Sequence, residues 1–67
     1  MAREWWRGTM LKRARARRTL TQVELAKRVG VDEMTISRIE RDVRRPSMAL
    51  LQRLAKALGV PVSELLG

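Results

Sequence analysis

The chain has 67 residues, enough for one small domain but too few for a deep cleft between two lobes. It contains neither Cys nor His, which excludes disulfides, thiolate nucleophiles and zinc sites built from those residues. Fifteen Lys and Arg residues against seven Asp and Glu give a net charge of +8. We therefore expect a binding protein rather than an enzyme, with no metal or other cofactor.

The positive charge is concentrated in two places. Residues 1–18 carry seven basic residues and one acidic residue, and a second cluster holds Arg41, Arg44 and Arg45 beside Asp42. Arg outnumbers Lys 12 to 3, which favours phosphate recognition because a guanidinium group meets two phosphate oxygens at once. The same bias also fits a GC-rich genome, and a basic run also fits a plain solvated face.

A membrane is the competing anionic partner, but the sequence argues against it. Binding to a membrane surface requires a helix with a bulky apolar face, which the first predicted helix lacks. No apolar run reaches the roughly 18 residues of a membrane span, and the N-terminus has no apolar stretch of a secretory signal. We expect a cytoplasmic protein that does not contact a membrane.

The first two predicted helices are defined by their caps. Thr9 caps a helix over about 10–18, and a capping box of Thr21 and Glu24 starts the second helix, which ends at Gly30. The positions expected to face inward are Met10, Leu11, Ala14, Leu25, Ala26 and Val29.

Three further helices follow. Asp32 caps a third helix over about 33–41, Ser47 caps a fourth that ends at Gly59, and Pro61 occupies the first position of a short fifth helix. Their inward positions are Ile36, Ile39, Leu51, Leu54, Ala55, Leu58, Val62, Leu65 and Leu66. No segment has the alternation of a strand, so the pattern predicts an all-α, compact bundle of five helices.

The second and third helices have the pattern of a helix-turn-helix, a motif whose second helix enters the DNA major groove. The positions that define it are Gln22, Ala26, Gly30, Ile36 and Ile39, at relative offsets of 0, 4, 8, 14 and 17. Ala26 is small where the two helices cross, and Gly30 supplies the sharp turn. Ile36 and Ile39 hold the second helix against the domain, which leaves its other face free.

With this spacing the chain resembles the Cro and phage-repressor type of helix-turn-helix proteins, also called the xenobiotic-response-element family. The resemblance covers about residues 11–66 and implies a lambda-repressor-like DNA-binding domain. It rests on Leu11, Leu20-Thr21-Gln22, Glu24-Leu25-Ala26, Val29-Gly30-Val31, Thr35 to Arg41, Arg45-Pro46-Ser47, Leu54 to Val60 and Glu64-Leu65-Leu66. We divide the chain into a basic, tryptophan-containing arm, residues 1–8, and a helix-turn-helix domain, residues 9–67.

The resemblance implies contacts to the DNA backbone and one internal ion pair. Gln22 is expected to bond a phosphate, which the free N–H groups of a helix start also favour. The arginines after the third helix are expected to follow the backbone without reading sequence. The phosphate-binding candidates are Thr21, Gln22, Arg41, Arg44 and Arg45. Arg15 and Glu40 are expected to pair in the interior, in a structural role.

The outward positions of the third helix are the expected readers of bases. They are Glu33, Met34, Thr35, Ser37 and Arg38. Arg38 suits guanine O6 and N7, with a phosphate contact or a surface ion pair as the alternative. Glu33 suits a cytosine amino group, or is a plain first-turn charge favoured by the helix dipole. Met34 suits a thymine methyl group.

Two positions depart from the family pattern. Asp42 and Thr19 stand where Gly is common, and neither residue enters the left-handed region as readily as Gly. The corner after the third helix is therefore expected to tilt, and the end of the first helix is uncertain.

The adjacent Trp5 and Trp6 lie outside the resemblance and are the only aromatic residues. They fit a lid packed on the first or last helix, a dimer contact, or an arm that touches DNA.

Together these features predict a sequence-specific DNA-binding transcriptional regulator, a repressor that binds an inverted-repeat operator. One recognition helix reads few bases, so we expect a homodimer on double-stranded DNA with half-sites about 34 Å apart, and no small-molecule ligand. With the chain ending at Gly67, we expect no separate oligomerisation domain. The interface candidates are Leu50, Leu65, Leu66, Trp5 and Trp6. The alternative is an antitoxin or another protein-interaction module, for which DNA binding is secondary autoregulation.

Overall fold

The computed structural model describes residues 6–66, and within that range the chain is helical and has no strand. It forms four α-helices and one turn of 3₁₀ helix. The bounds are α1 Gly8–Arg17, α2 Gln22–Val29, α3 Glu33–Glu40, α4 Met48–Leu58 and the 3₁₀ turn Val62–Leu65. No helix among these residues has both the length and the apolar character needed to cross a membrane.

The predicted boundaries of α2 are confirmed. The backbone N–H of Glu24 donates to the Thr21 hydroxyl at 3.0 Å, and the Thr21 N–H donates to the Glu24 carboxylate at 2.8 Å, which is a complete capping box. Gly30 ends the helix in the left-handed conformation, with φ of 78°. A residue with a Cβ is strained there, which explains the glycine.

The starts of α3 and α4 also lie where the sequence predicts them. Asp32 accepts a hydrogen bond from the N–H of Thr35 at 3.0 Å, and Ser47 accepts one from the N–H of Leu50 at 3.1 Å. Each side chain satisfies one of the N–H groups that the first turn of a helix leaves without a partner.

Two predictions at the ends of the described chain are wrong. Thr9 does not cap α1, because the helix begins two residues earlier than predicted, at Gly8, and Arg7 is its N-cap. The fifth helix is only one 3₁₀ turn, and Pro61 precedes it as the N-cap rather than occupying its first position. Four residues complete a single turn, and short terminal segments often take the tighter 3₁₀ form.

The core lies where the four helices and the 3₁₀ turn meet. α2 packs against both α3 and α4, while α1 packs against α3 and the 3₁₀ turn. The side chains without exposed surface are Leu11, Leu25, Ile36, Ile39, Leu51, Leu54, Leu58 and Leu65. Met10, Val62 and Leu66 were predicted to face inward and are only half-buried.

Trp6 belongs to the same core, with 5% of its surface exposed. It precedes α1 and packs beside residues that the sequence pattern assigns to the bundle. Trp5 lies outside the described residues, and the proposed division between residues 8 and 9 stays a prediction.

Candidate nucleic-acid interface

A tight link between α2 and α3 sets the geometry of the candidate interface. The N–H groups of Gly30 and Val31 both donate to the Ala26 carbonyl, at 2.9 and 3.0 Å, and Asp32 then caps α3. Ala26 is 3% exposed and Ile36 is fully buried, so the helices are closely packed. α2 and α3 therefore form a helix-turn-helix unit with a fixed crossing.

The helix α3 has one buried face and one solvent face. Ile36 and Ile39 have no exposed surface, whereas half of the Met34 surface is exposed. Of the five base-reading candidates, Glu33, Met34 and Arg38 are exposed, and Thr35 and Ser37 are half-buried. Met34 and Arg38 are four residues apart, one helical turn, and so share a face.

The start of α3 is held by Asp32 and Thr35. The Thr35 hydroxyl donates to the Asp32 carboxylate, which also accepts from the Thr35 backbone N–H. These two bonds lower the pKa of Asp32 below its usual value, because both stabilise the ionised carboxylate. Since its hydrogen is engaged, the Thr35 hydroxyl can act only as an acceptor toward a further partner.

The end of α3 carries the Arg15 and Glu40 ion pair. Arg15 donates from Nε to Glu40 Oε2 at 2.6 Å and from Nη2 to Oε1 at 3.1 Å, a bidentate arrangement. Arg15 Nη1 donates to the Leu20 carbonyl at 2.8 Å. The hydrogen bond to Glu40 raises the pKa of Arg15, although burial acts in the opposite direction. The pair therefore joins α1, the α1–α2 link and α3.

Gln22 joins the same network, a contact that sequence reasoning missed. Its Nε2 donates to Glu40 Oε1 at 2.9 Å. A carboxamide has two N–H donors, so the bond to Glu40 uses one of them and leaves the second for another acceptor. Thr21, the other candidate at this helix start, is exposed and engaged in the capping box.

The loop after α3 carries the other phosphate-binding candidates. Arg41, Arg44 and Arg45 are all exposed. Arg41 Nε folds back onto the Ser37 carbonyl at 3.3 Å, and the N–H of Arg44 donates to the Arg38 carbonyl at 3.2 Å. These bonds hold the basic loop close to the solvent face of α3.

Asp42 and Thr19 both occupy the left-handed region, as expected for positions where the family has Gly. Their φ values are 62° and 55°. At Asp42 the cost of the left-handed conformation is offset by a contact that the sequence does not reveal. Its carboxylate accepts a hydrogen bond from the Gly8 N–H at 2.8 Å. The two residues are 34 positions apart, so no local pattern indicates the bond.

Most dimer candidates lie inside the monomer. Leu65 has no exposed surface, Leu50 is 8% exposed and Trp6 is 5% exposed, because all three belong to the core. Leu66 is half-buried, so of the described candidates it alone keeps a substantial exposed surface.

Comparisons with known proteins agree with this geometry. The family model described as Helix-turn-helix matches residues 11–65. The immunity repressor protein of Bacillus phage phi105 is 40% identical over 60 residues, which are 90% of this chain and 42% of that protein. The antitoxin HigA1 of Mycobacterium tuberculosis is 49% identical over 39 residues, 58% of this chain and 26% of that protein.

A solved structure extends the likeness to three dimensions. The P22 c2 repressor protein, in complex with a synthetic operator, superimposes with a TM-score of 0.83 at 34% identity, covering 88% of this chain and 89% of that one. The chain spans less than half the length of the phi105 repressor and the antitoxin. The family match covers most of the chain, which therefore belongs to the helix-turn-helix family, in its Cro and phage-repressor type.

Proposed function

We propose that this chain is a sequence-specific DNA-binding transcriptional repressor that inserts α3 into the major groove. The observation that carries the proposal is the division of α3 into two faces. Ile36 and Ile39 anchor the helix to the core, while Met34 and Arg38 face solvent one helical turn apart. The major groove admits an α-helix, and its base edges are read by side chains of this kind.

The side chains on the solvent face of α3 read the bases. Arg38 makes a bidentate contact to guanine, and Met34 packs on a thymine methyl group. Glu33 accepts from a cytosine amino group, with Thr35 and Ser37 beside it. A good bidentate contact discriminates against the wrong base by about 1–3 kcal/mol, so Arg38 carries the largest single share of specificity.

Phosphate contacts come from two groups of residues, which both lie near the end of α3, since Gln22 bonds to Glu40. Gln22 and the adjacent Thr21 lie at the start of α2, where free N–H groups and the helix dipole favour an anion. Arg41, Arg44 and Arg45 lie beyond the end of α3. These two groups position the domain on the duplex without reading its sequence.

We further propose that two copies bind an inverted repeat. One α3 helix of eight residues reads few base pairs, and two-fold pairing with half-sites about 34 Å apart doubles the recognised sequence. Leu66 contributes to the interface between the copies. On this proposal the chain acts in the cytoplasm and catalyses no reaction.

Titration of duplex DNA at several salt concentrations tests the proposal. A dimer that makes about 8–10 phosphate contacts is expected to lose on the order of 10³–10⁵ in affinity between about 50 and 200 mM salt. The operator is first selected from a random duplex pool. Absence of binding to any duplex at about 50 mM salt contradicts the proposal.

The variant Arg38→Ala tests base reading itself. We expect loss of preference at one position per half-site and a weakening of about 1–3 kcal/mol on the selected operator. Lys56→Ala is the control, because it removes one positive charge from an exposed position in the last turn of α4. A uniform weakening over all sequences, with a shallower salt dependence, assigns Arg38 to a phosphate instead.

A second candidate is an antitoxin whose principal partner is a protein. The observation that favours it is the 49% identity to antitoxin HigA1 over 39 residues. The salt titration separates the candidates, because a chain that needs its protein partner to act is expected to show little duplex binding alone.

A further inference from the structure

The start of α1 has no cap within its own sequence. Its N-cap residue, Arg7, makes no side-chain bond to the helix, and the first turn contains no acidic residue. Helix starts are stabilised by a side-chain acceptor and by negative charge. Both come from Asp42, whose carboxylate accepts from the Gly8 N–H at 2.8 Å.

Asp42 meets this role in a conformation that Gly adopts more easily. Its φ of 62° lies in the left-handed region, which Asp tolerates at some cost and Gly at none. Gly at this position would make the same turn but could not accept the hydrogen bond. The carboxylate, not the turn, is therefore what distinguishes Asp here.

Gly8 also sets how closely α1 approaches α3. A Cβ atom built on Gly8 would overlap the backbone carbonyl oxygens of Ile39 and Glu40. The positive start of α1 thus lies directly on the carbonyl groups that end α3, an attractive arrangement of the two helix dipoles. The hydrogen bond from Gly8 to Asp42 also ties the start of α1 to the loop that follows α3.

The basic loop packs against the same junction. The loop and the buried Trp6 together line an open pocket of about 210 Å³. Its lining residues are Trp6, Asp42, Val43, Arg44 and Arg45. Trp6, which precedes α1, therefore lies beside the loop.

We propose that Asp42 is a positioning residue, whose bond to Gly8 joins the start of α1 to the loop and fixes Arg44 and Arg45 where they meet DNA phosphates. The DNA part of this inference rests on the proposed function. The coupling itself concerns the free protein and is measured without DNA.

The variants Asp42→Gly and Asp42→Asn separate the carboxylate from the turn. Gly keeps the left-handed turn and loses the acceptor, whereas Asn tolerates the turn and keeps a carbonyl acceptor. In Asp42→Gly the relief of strain and the loss of a cap act in opposite directions on global stability. Chemical denaturation checks that both variants remain folded at the temperature of the binding assay.

Amide hydrogen exchange in the free protein is the first readout. The N–H groups of Val43 and Arg44 donate to the Arg38 carbonyl at 2.9 and 3.2 Å. In Asp42→Gly we expect exchange of Gly8, Val43 and Arg44 to be about fivefold faster, the change that loss of one hydrogen bond produces. Asp42→Asn is expected to restore most of the protection.

Duplex affinity is the second readout. We expect Asp42→Gly to bind the selected operator about fivefold more weakly, with an unchanged order of base preference, and Asp42→Asn to recover most of that loss. Unchanged exchange in Asp42→Gly, or unchanged duplex affinity, overturns the role of Asp42. If the native chain binds no duplex at about 50 mM salt, the proposed function and the DNA part fail, while the exchange data still decide the coupling.

Discussion

The two ends of α3 are held in different ways. At the start, Asp32 caps the helix through Thr35, only three residues further along the chain. At the end, Glu40 pairs with Arg15 of α1, and Asp42 accepts a bond from Gly8, 34 residues away. The start of α3 is thus stabilised by a neighbouring residue, and its end by contacts with α1, which is distant in sequence.

This difference separates the formation of α3 from its orientation. The local cap stabilises the helix itself, whichever way the helix points. The contacts from α1 fix the end of α3 relative to the domain, and with it the direction of the solvent face that we propose reads bases. Substitutions at the end of α3 (the far end) are therefore expected to lower the free energy of unfolding more than substitutions at its start (the near end).

The largest effect is expected when the pair at the far end is broken. In Arg15→Met, the Glu40 carboxylate remains buried without its cation, since the side chain is only 2% exposed. Leaving a buried charge unpaired costs about 3–5 kcal/mol of unfolding free energy, a large part of the stability of a small domain. Urea denaturation followed by circular dichroism measures the loss.

The double variant Arg15→Met/Glu40→Leu is the control for this prediction. It removes both charges, and apolar replacements of buried pairs are often close to neutral. Recovery of a substantial part of the stability assigns the loss to the unpaired carboxylate. Equal losses in the single and double variants contradict that assignment and point to packing around Arg15.

A smaller loss is expected from Gly8→Ala. The added methyl group overlaps the carbonyl oxygens at the end of α3, so α1 must shift away, at a cost of about 1–3 kcal/mol of unfolding free energy. Thr9→Ala is the matched control, because Thr9 is the next residue of α1 and is exposed. Its effect is expected to stay within about 0.5 kcal/mol. A Gly8→Ala variant as stable as the native chain contradicts the close packing.

The smallest effect is expected at the near end, as a dependence on pH. The pKa of Asp32 lies below its usual 3.8, chiefly because the Thr35 side chain donates to the carboxylate. The pKa of Glu24 lies below its usual 4.5, chiefly because of the bond from the Thr21 backbone N–H. A lowered pKa in the folded chain gives stabilisation that is complete above the unfolded value and is lost as the pH falls through the folded value.

Thermal unfolding between about pH 6 and pH 2 measures this loss. We expect Tm to fall below about pH 4.5, as Glu24 and Asp32 lose their charge-assisted bonds. Asp32→Asn keeps a side-chain acceptor but does not titrate. The difference in Tm between the native chain and Asp32→Asn should therefore shrink as the pH falls, and a constant difference contradicts the cap argument.

The elements that sequence predicts correctly are those fixed by neighbouring residues. The capping box of Thr21 and Glu24 and the terminal Gly30 each act within one helical turn, so their residue types reveal them. The buried face of α3 follows from the spacing of Ile36 and Ile39 in the same way.

The errors fall where distant segments meet. Thr9 has the residue type of a cap, but the close contact between Gly8 and α3 starts the helix earlier. Leu65 was predicted both to face inward and to be an interface candidate, and the 3₁₀ turn places it in the core against α1 and α4, which confirms the first role only.

The sequence by itself therefore determined the starts of α2, α3 and α4 and the helix-turn-helix spacing, because these depend on periods of three or four residues. Only the tertiary structure decided that Gln22 shares Glu40 with Arg15, and that Asp42 holds Gly8. Such bonds require two segments to be brought together by packing of the core, and no local pattern encodes that meeting. The direction of α3 is a property of the whole fold.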